Sequence, residues 1–267
     1  RTDRMPGRVT AADVARRAGV SRSAVSRVFT PGASVSGPTA EKVRAAAEAL
    51  GYRPNALARG LMTGRSRMIG LVLAYLDNHF YPQAIDRLSR ALEAEGYNLL
   101  VFFAAQDDAD VGDVVAEILD YQVDGLILAS VGIGSDLARR CRASGVPVVM
   151  FNRRSAGPED IAAVSDNRAG GRLAAEHLLA CGYRRIGHIA GWEDAATQRD
   201  REAGFRDGLA AAGLALAARH CGEFRPGAAK EAARAMFAAP DRPEAVFVAN
   251  DHMAFMVMDV LRGELGL

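Results

Sequence analysis

Cysteine is scarce in this chain: Cys141, Cys181 and Cys221 are three in 267 residues, an odd number with no CxxC pair. That argues against a disulfide framework and suits a reducing compartment, so a cytoplasmic setting is expected. Long apolar runs are missing too. Stretches such as 69–76 and 146–151 fall well short of the roughly 18 residues a membrane span needs, so no membrane partner is expected. Residues 1–8 are polar and no apolar stretch follows them, unlike an export signal. Catalytic signatures are absent as well, with no GxxxxGK[ST], HExxH or GxSxG. Gly132-x-Gly134 lacks the third glycine of a dinucleotide turn, and His79, His177, His188, His220 and His252 show no metal-ligand spacing. No cofactor, no metal and no enzyme activity is therefore expected. The competing readings are a nucleotide-dependent α/β enzyme and a sugar-binding receptor with no DNA role.

What is present is an ordinary globular composition, 49% hydrophobic and 24% charged with net charge +1, enough for one or two domains and not for a disordered chain. Lysine is nearly missing, at Lys42 and Lys230 only, so arginine carries the basic charge. That charge is unevenly spread. Residues 1–67 hold 13 basic against 4 acidic side chains, whereas the rest holds 20 against 28. A basic head on an acidic body is the footprint of a polyanion-binding module joined to something else.

The head is punctuated like three short helices. Thr10-Ala11-Ala12-Asp13 is a capping-box start and Gly19 a stop. Ser21 caps a second helix over 22–29, and Ser36 a third over 39–50, closed by Gly51. Inner faces are Val14, Ala15 and Ala18; Val25, Val28 and Phe29; and Val43, Ala46, Ala47 and Leu50. A three-residue turn between the first two helices describes a helix-turn-helix. Beyond residue 68 the chain alternates apolar strands (68–75, 98–103, 125–129, 148–151, 185–190, 245–249) with helical stretches (83–95, 111–121, 136–143, 168–180, 228–237). This predicts parallel sheets covered on both faces, in two lobes. Between head and body, Pro54 and Asn55 open a two-turn helix containing Gly60, too short to persist alone in water.

The order and spacing of these residues resemble the lactose-repressor-type (LacI/GalR) family of bacterial transcriptional regulators. The resemblance runs through Val9-Thr10, Asp13-Val14-Ala15, Ala18-Gly19-Val20-Ser21, Val25-Ser26-Arg27-Val28, Leu50-Gly51-Tyr52, Pro54-Asn55 and Ala58-Arg59. It continues into Ile69-Gly70-Leu71, Val123-Asp124-Gly125, Asp166-Asn167, Arg201-x-x-Gly204-Phe205 and Asn250-Asp251. It implies an all-α helix-turn-helix head (1–52), a hinge helix and linker (53–67), and an α/β two-lobed, periplasmic-binding-protein-like type I body (68–267). The lobes divide near 68–165 and 166–267. It further implies a homodimer on a near-palindromic double-stranded operator, acting as a repressor under allosteric control by a small effector, most simply a sugar or polyol. The family continues beyond a point matching Leu267, so the second lobe is expected to be incomplete and the chain a fragment.

In a helix-turn-helix the first residues of the second helix reach base edges in the major groove. Here these are Arg22 and Ser23, with Arg27 further along, and a guanidinium can donate to guanine O6 and N7 together. Thr10, Ser21, Ser26 and Arg59 suit phosphates. The resemblance implies a minor-groove role for Leu57, Ala58 and Leu61, with Leu61 wedged between base steps. It carries effector contacts onto Phe80, Tyr81, Asn152, Asp166, Arg201, Phe224 and Asn250. The chemistry is coherent, since a carboxylate accepts, Arg201 and Asn250 donate, and an aromatic ring stacks on a sugar face. Plainer readings stand beside these. Arg27 can touch backbone only, Leu61 can pack on the body, Asp166 can cap the helix at 167, Phe224 can be core, and Arg201 can pair with an acid on its own helix.

Overall fold

Helix α1 (Ala11–Ala18) begins where Asp13 turns back: its carboxylate accepts from the Thr10 backbone N–H at 3.0 Å and from the Thr10 hydroxyl at 2.7 Å. Those bonds hold the Asp13 carboxyl below its ordinary pKa. Gly19, at φ +66°, ends the helix, and the Ser21 hydroxyl then caps α2 (Arg22–Val28) by accepting from Ala24 N–H at 3.2 Å. Helix α3 (Gly37–Leu50) starts two residues before the expected 39, because Pro38 fits a first turn whose N–H groups have no helical partner anyway. Ser36 precedes it without capping a backbone N–H; its hydroxyl meets that of Thr39 at 2.8 Å. Val14, Ala15, Val25, Val43, Ala46 and Ala47 form the head's core, with Val28, Leu50, Phe29 and Tyr52 packed on it.

The computed structural model describes residues 9–30, 32–54, 65–73, 76, 78–104, 108–129, 141, 143–154 and 161–267. Leu57, Ala58, Arg59 and Leu61, and most of the helix expected at 136–143, lie outside them. The chain separates into two compact units, Arg1–Ser66 and Arg67–Leu267. No helix among the described residues is long and apolar enough to cross a membrane.

The second unit is two parallel sheets. The first is built from β1 (Met68–Leu73), β2 (Asn98–Phe103), β3 (Gly125–Ala129), β4 (Val148–Phe151) and β5 (Ile161–Ala163), in the order β2-β1-β3-β4-β5. Helices α4 (Phe80–Ala94) and α5 (Asp108–Asp120) follow β1 and β2. The second sheet has β6 (Ile186–Ala190), β7 (Ala218–Cys221) and β8 (Ala245–Val248), in the order β7-β6-β8. Its helices are α6 (Asn167–Ala180), α7 (Ala196–Ala211), α8 (Pro226–Ala238) and α9 (Asp251–Asp259), the last extended by a π-helical turn, Val260–Glu264. The central β6 is buried at every position, so its residues are apolar apart from His188, whose ring is hydrogen-bonded. β5 and β7 escaped the pattern. β5 has three residues and β7 is the partly exposed edge strand Ala-Arg-His-Cys, while α7, where charge and glycine interleave, is anticipated only as the helix bearing Arg201.

In each sheet the chain leaves a central strand to opposite sides, from β1 to β2 and β3, and from β6 to β7 and β8. A crevice forms at the carboxyl ends of strands where the order reverses in this way. Helices α6 and α7 approach closely because two glycines meet backbone. A Cβ on Gly171 would overlap the Arg201 carbonyl, and one on Gly204 the Arg168 carbonyl.

Beneath β6 lies a buried polar chain. His188, 0% exposed, has Nδ1 2.9 Å from the Phe247 carbonyl, while the Gln198 amide nitrogen lies 3.3 Å from His188 Nε2 and donates to Glu202 at 2.9 Å. A Gln198 N–H donating to Nε2 puts the proton on Nδ1, which donates to Phe247. The imidazole is neutral, and burial lowers its pKa. Glu202 also accepts from Arg219 and Arg206 at 2.8 Å, and these bonds outweigh its burial to bring its carboxyl to about 2.

Two predictions follow from this packing. Gly204→Ala should destabilise the body by at least the about 1–3 kcal/mol of an overpacked core, whereas Gly170→Ala, with nothing within 4 Å of the added methyl, should be neutral or stabilising; urea titration checks both. Acidification should weaken the body in two windows. Neutral His188 contributes stability present above its unfolded pKa near 6.5 and lost as pH falls below it, and Glu202 stability present above 4.5 and lost towards about 2. Glu202→Gln should flatten the lower window, and an unchanged pH dependence of the urea midpoint there would refute the assignment.

Candidate nucleic-acid interface and ligand cleft

With Val25 buried inward, α2 turns Arg22, Ser23 and Arg27 outward, all three exposed. Ser23 and Arg27 are one turn apart, and Arg27 Nε donates to the Ser23 carbonyl at 3.4 Å. The Ser21 hydroxyl shares a 2.9 Å hydrogen bond with Ser23 Oγ while capping α2. Ser26 is half-buried, and Thr10 is exposed at the start of α1. α2 thus presents two guanidiniums flanked by hydroxyls, a donor set suited to base edges and phosphate oxygens.

In the body, a cleft of about 410 Å³ opens between the two sheets at their carboxyl ends. Phe80, Tyr81, Asn152, Arg201, Phe224 and Asn250 all line it, brought together from α4, the end of β4, α7, the loop after β7 and the end of β8. Phe80, 45% exposed, stacks on Phe151 at 5.8 Å and meets Tyr81 edge-on at 5.2 Å. Asn152, in a left-handed conformation at φ +65°, donates from Nδ2 to the Tyr81 hydroxyl at 3.1 Å. Phe224, also left-handed at φ +57°, lies over Gly191, where a Cβ would run into the ring. A hydrogen bond from Gly191 N–H to Gln198 Oε1 at 2.6 Å fixes that glycine to the buried polar chain.

Arg201 anchors the second-lobe wall. Its guanidinium donates to the Ala249 carbonyl and, at 2.7 Å, to Asn167 Oδ1. Burial pulls its pKa below the usual range, against the opposing pull of Asp251. Asn250 lines the cleft and caps α9, its Oδ1 accepting from Met253 N–H at 2.8 Å, which leaves the amide nitrogen to donate. Asp166 is not among the lining residues. Its Oδ1 accepts from Ala169 N–H at 2.9 Å as the N-cap of α6, the plainer reading of this residue in the sequence.

Sequence reasoning missed Asn78, Arg153, Ser165, Thr197, Phe247 and Asp251, which also line the cleft. Of these Asp251 was within reach, as the residue after Asn250 at a helix start. Arg153 had no such signal, because burial of an arginine beside a strand end follows only from the packed lobes.

The comparisons with known proteins agree along the chain. The family described as periplasmic binding proteins and sugar binding domain of LacI family matches residues 66–264, and that of bacterial regulatory proteins, lacI family, matches residues 10–55. The chain is 32% identical over 255 residues to the HTH-type transcriptional repressor PurR of Photobacterium profundum, covering 93% of this chain and 75% of that protein. It is 33% identical over 257 residues to the ribose operon repressor of Escherichia coli K12, covering 94% and 77%. Among solved structures, the lac repressor dimer bound to operator and the anti-inducer ONPF superposes with a TM-score of 0.86 at 29% identity, over 97% of this chain and 79% of that one. The head's helix-turn-helix, the two parallel sheets and matches of this extent have one reading: the chain belongs to the lacI family of bacterial regulatory proteins.

Proposed function

We propose that the chain is a dimeric repressor whose head reads a near-palindromic operator and whose cleft binds a small sugar-like effector that tunes this grip. The observation that carries the reading is the combination, in one chain, of an exposed Arg22–Ser23–Arg27 face on a helix-turn-helix and a ligand-sized cleft at two sheet switch points. Arg22, Ser23 and Arg27 read bases. Thr10, Ser21 and Ser26 contact phosphates, and Arg59 joins them from outside the described residues. Leu57, Ala58 and Leu61 serve the minor groove. The chain divides into reader (1–52), hinge (53–67) and body (68–267).

In the cleft, Phe80 and Phe224 offer ring faces to the apolar side of a sugar, while Arg201 and Asn250 donate to its oxygens. Asn152 and Tyr81 form a polar pair on the opposite wall. Asp166 acts through α6, whose first residue, Asn167, positions Arg201. Binding free energy at the cleft is coupled to that at the head, typically by about 1–3 kcal/mol, and reciprocally.

Selection from a random-duplex library should return a palindrome. Against it, Arg22→Ala and Arg27→Ala should each lose about 1–3 kcal/mol and relax preference at one base pair, while the wild-type salt slope should be about −0.9 per phosphate contacted. Failure to enrich any sequence over scrambled duplex would overturn the reading. Arg201→Ala should weaken effector binding at least tenfold and leave operator affinity without effector near wild type, as read by calorimetry and gel shift. Equal effector affinity on free and operator-bound protein would remove the coupling.

A further inference from the structure

One wall of the cleft rests on a residue with no side chain. The tip of the Phe224 ring packs on Gly191, the residue after β6, so closely that a Cβ there would overlap three ring carbons. Such a contact demands glycine, and glycine has the most backbone freedom to lose. The ring also sits on a strained turn. Glu223 and Phe224 are consecutive left-handed residues at φ +54° and +57°, a conformation that persists only where its surroundings enforce it.

Two side chains hold the glycine. The Gly191 N–H donates to Gln198 Oε1 at 2.6 Å, and the Gly191 carbonyl accepts from the Cys221 thiol at 3.0 Å. Gln198 is third in α7, is 1% exposed and does not line the cleft. Its amide has one workable orientation. The nitrogen donates to Glu202 at 2.9 Å, and that carboxylate, already accepting from Arg206 and Arg219, has no proton to offer in return. The oxygen must therefore face Gly191. An apolar side chain at 198 would leave the buried Gly191 N–H without its acceptor.

We propose that Gln198 is a positioning residue for the effector: through Gly191 it fixes where the Phe224 ring stands, and so how firmly that ring meets the apolar face of a ligand. Cys221 assists from the other side of the same glycine. The inference rests on the cleft being the effector site.

The test is a double-mutant cycle read by calorimetry, with D-ribose, D-glucose and adenosine as probes, beside amide exchange in the ligand-free protein. Without ligand, Gln198→Met should speed exchange of the Gly191 amide about tenfold relative to that of Ile189 within β6. With the tightest-binding probe, Gln198→Met and Phe224→Ala should each lose about tenfold in affinity, whereas the double variant should lose little more than Phe224→Ala alone. A defect that did not act through the ring would multiply the two losses. Unchanged Gly191 exchange, losses that multiply, or a Phe224→Ala variant binding as tightly as wild type overturns the proposal and leaves the cleft as the effector site. Should Gln198→Met fail to fold, Cys221→Ala replaces it in the cycle, with a loss of about threefold that Cys221→Ser restores and that vanishes beside Phe224→Ala; a loss that survives there overturns the proposal. Absence of heat with every probe on the wild-type chain overturns both.

Discussion

One guanidinium ties the second lobe's cleft wall together. Arg201 reaches from α7 to Asn167 at the start of α6 and to the Ala249 carbonyl at the end of β8, so three elements of the second lobe share a single planar donor. Its reach is set by the glycine contact between α6 and α7. A side chain at Gly171 would push against the very carbonyl of Arg201. The cleft wall is therefore as rigid as that crossing, and Asn250, next to Ala249, inherits its position from the same bond.

Arginine does opposite things in the two units. On α2 it stands in water, where charge is screened, and its value lies in reaching groove atoms without paying a large desolvation cost. In the cleft Arg153 and Arg201 are withdrawn from water, where a hydrogen bond is stronger and an unpaired polar group is penalised more heavily. The buried chain of His188, Gln198 and Glu202 supports this wall from behind, through the Phe247 carbonyl and the Gly191 N–H. Gly191 in turn seats the Phe224 ring at the cleft.

Much of this was legible in the residues. Asp13, Gly19, Ser21 and Gly51 act within a few positions of themselves, so local chemistry sets the head's helices and the structure follows them closely. The strand at 125–129 was visible because a buried parallel strand must be apolar throughout, and those at 98–103 and 148–151 because they too are short apolar runs, although β2 is a half-exposed edge strand. Ser36 and Asp166 show the limit. Both sit where a cap is possible, but Ser36 spends its hydroxyl on Thr39, while Asp166 caps its helix and does not line the cleft.

By itself the sequence determined the helix-turn-helix, the basic polarity of its exposed face, and the alternation that makes two parallel sheets, because these follow from short-range spacing and from which residues tolerate water. Only the tertiary structure decided which distant side chains meet. Arg153 and Trp192 are far apart in sequence, and nothing local foretells that two strand ends will bring them within 5.0 Å. The lining of the cleft is a property of packed lobes, since it depends on which side chains burial selects to face the same space.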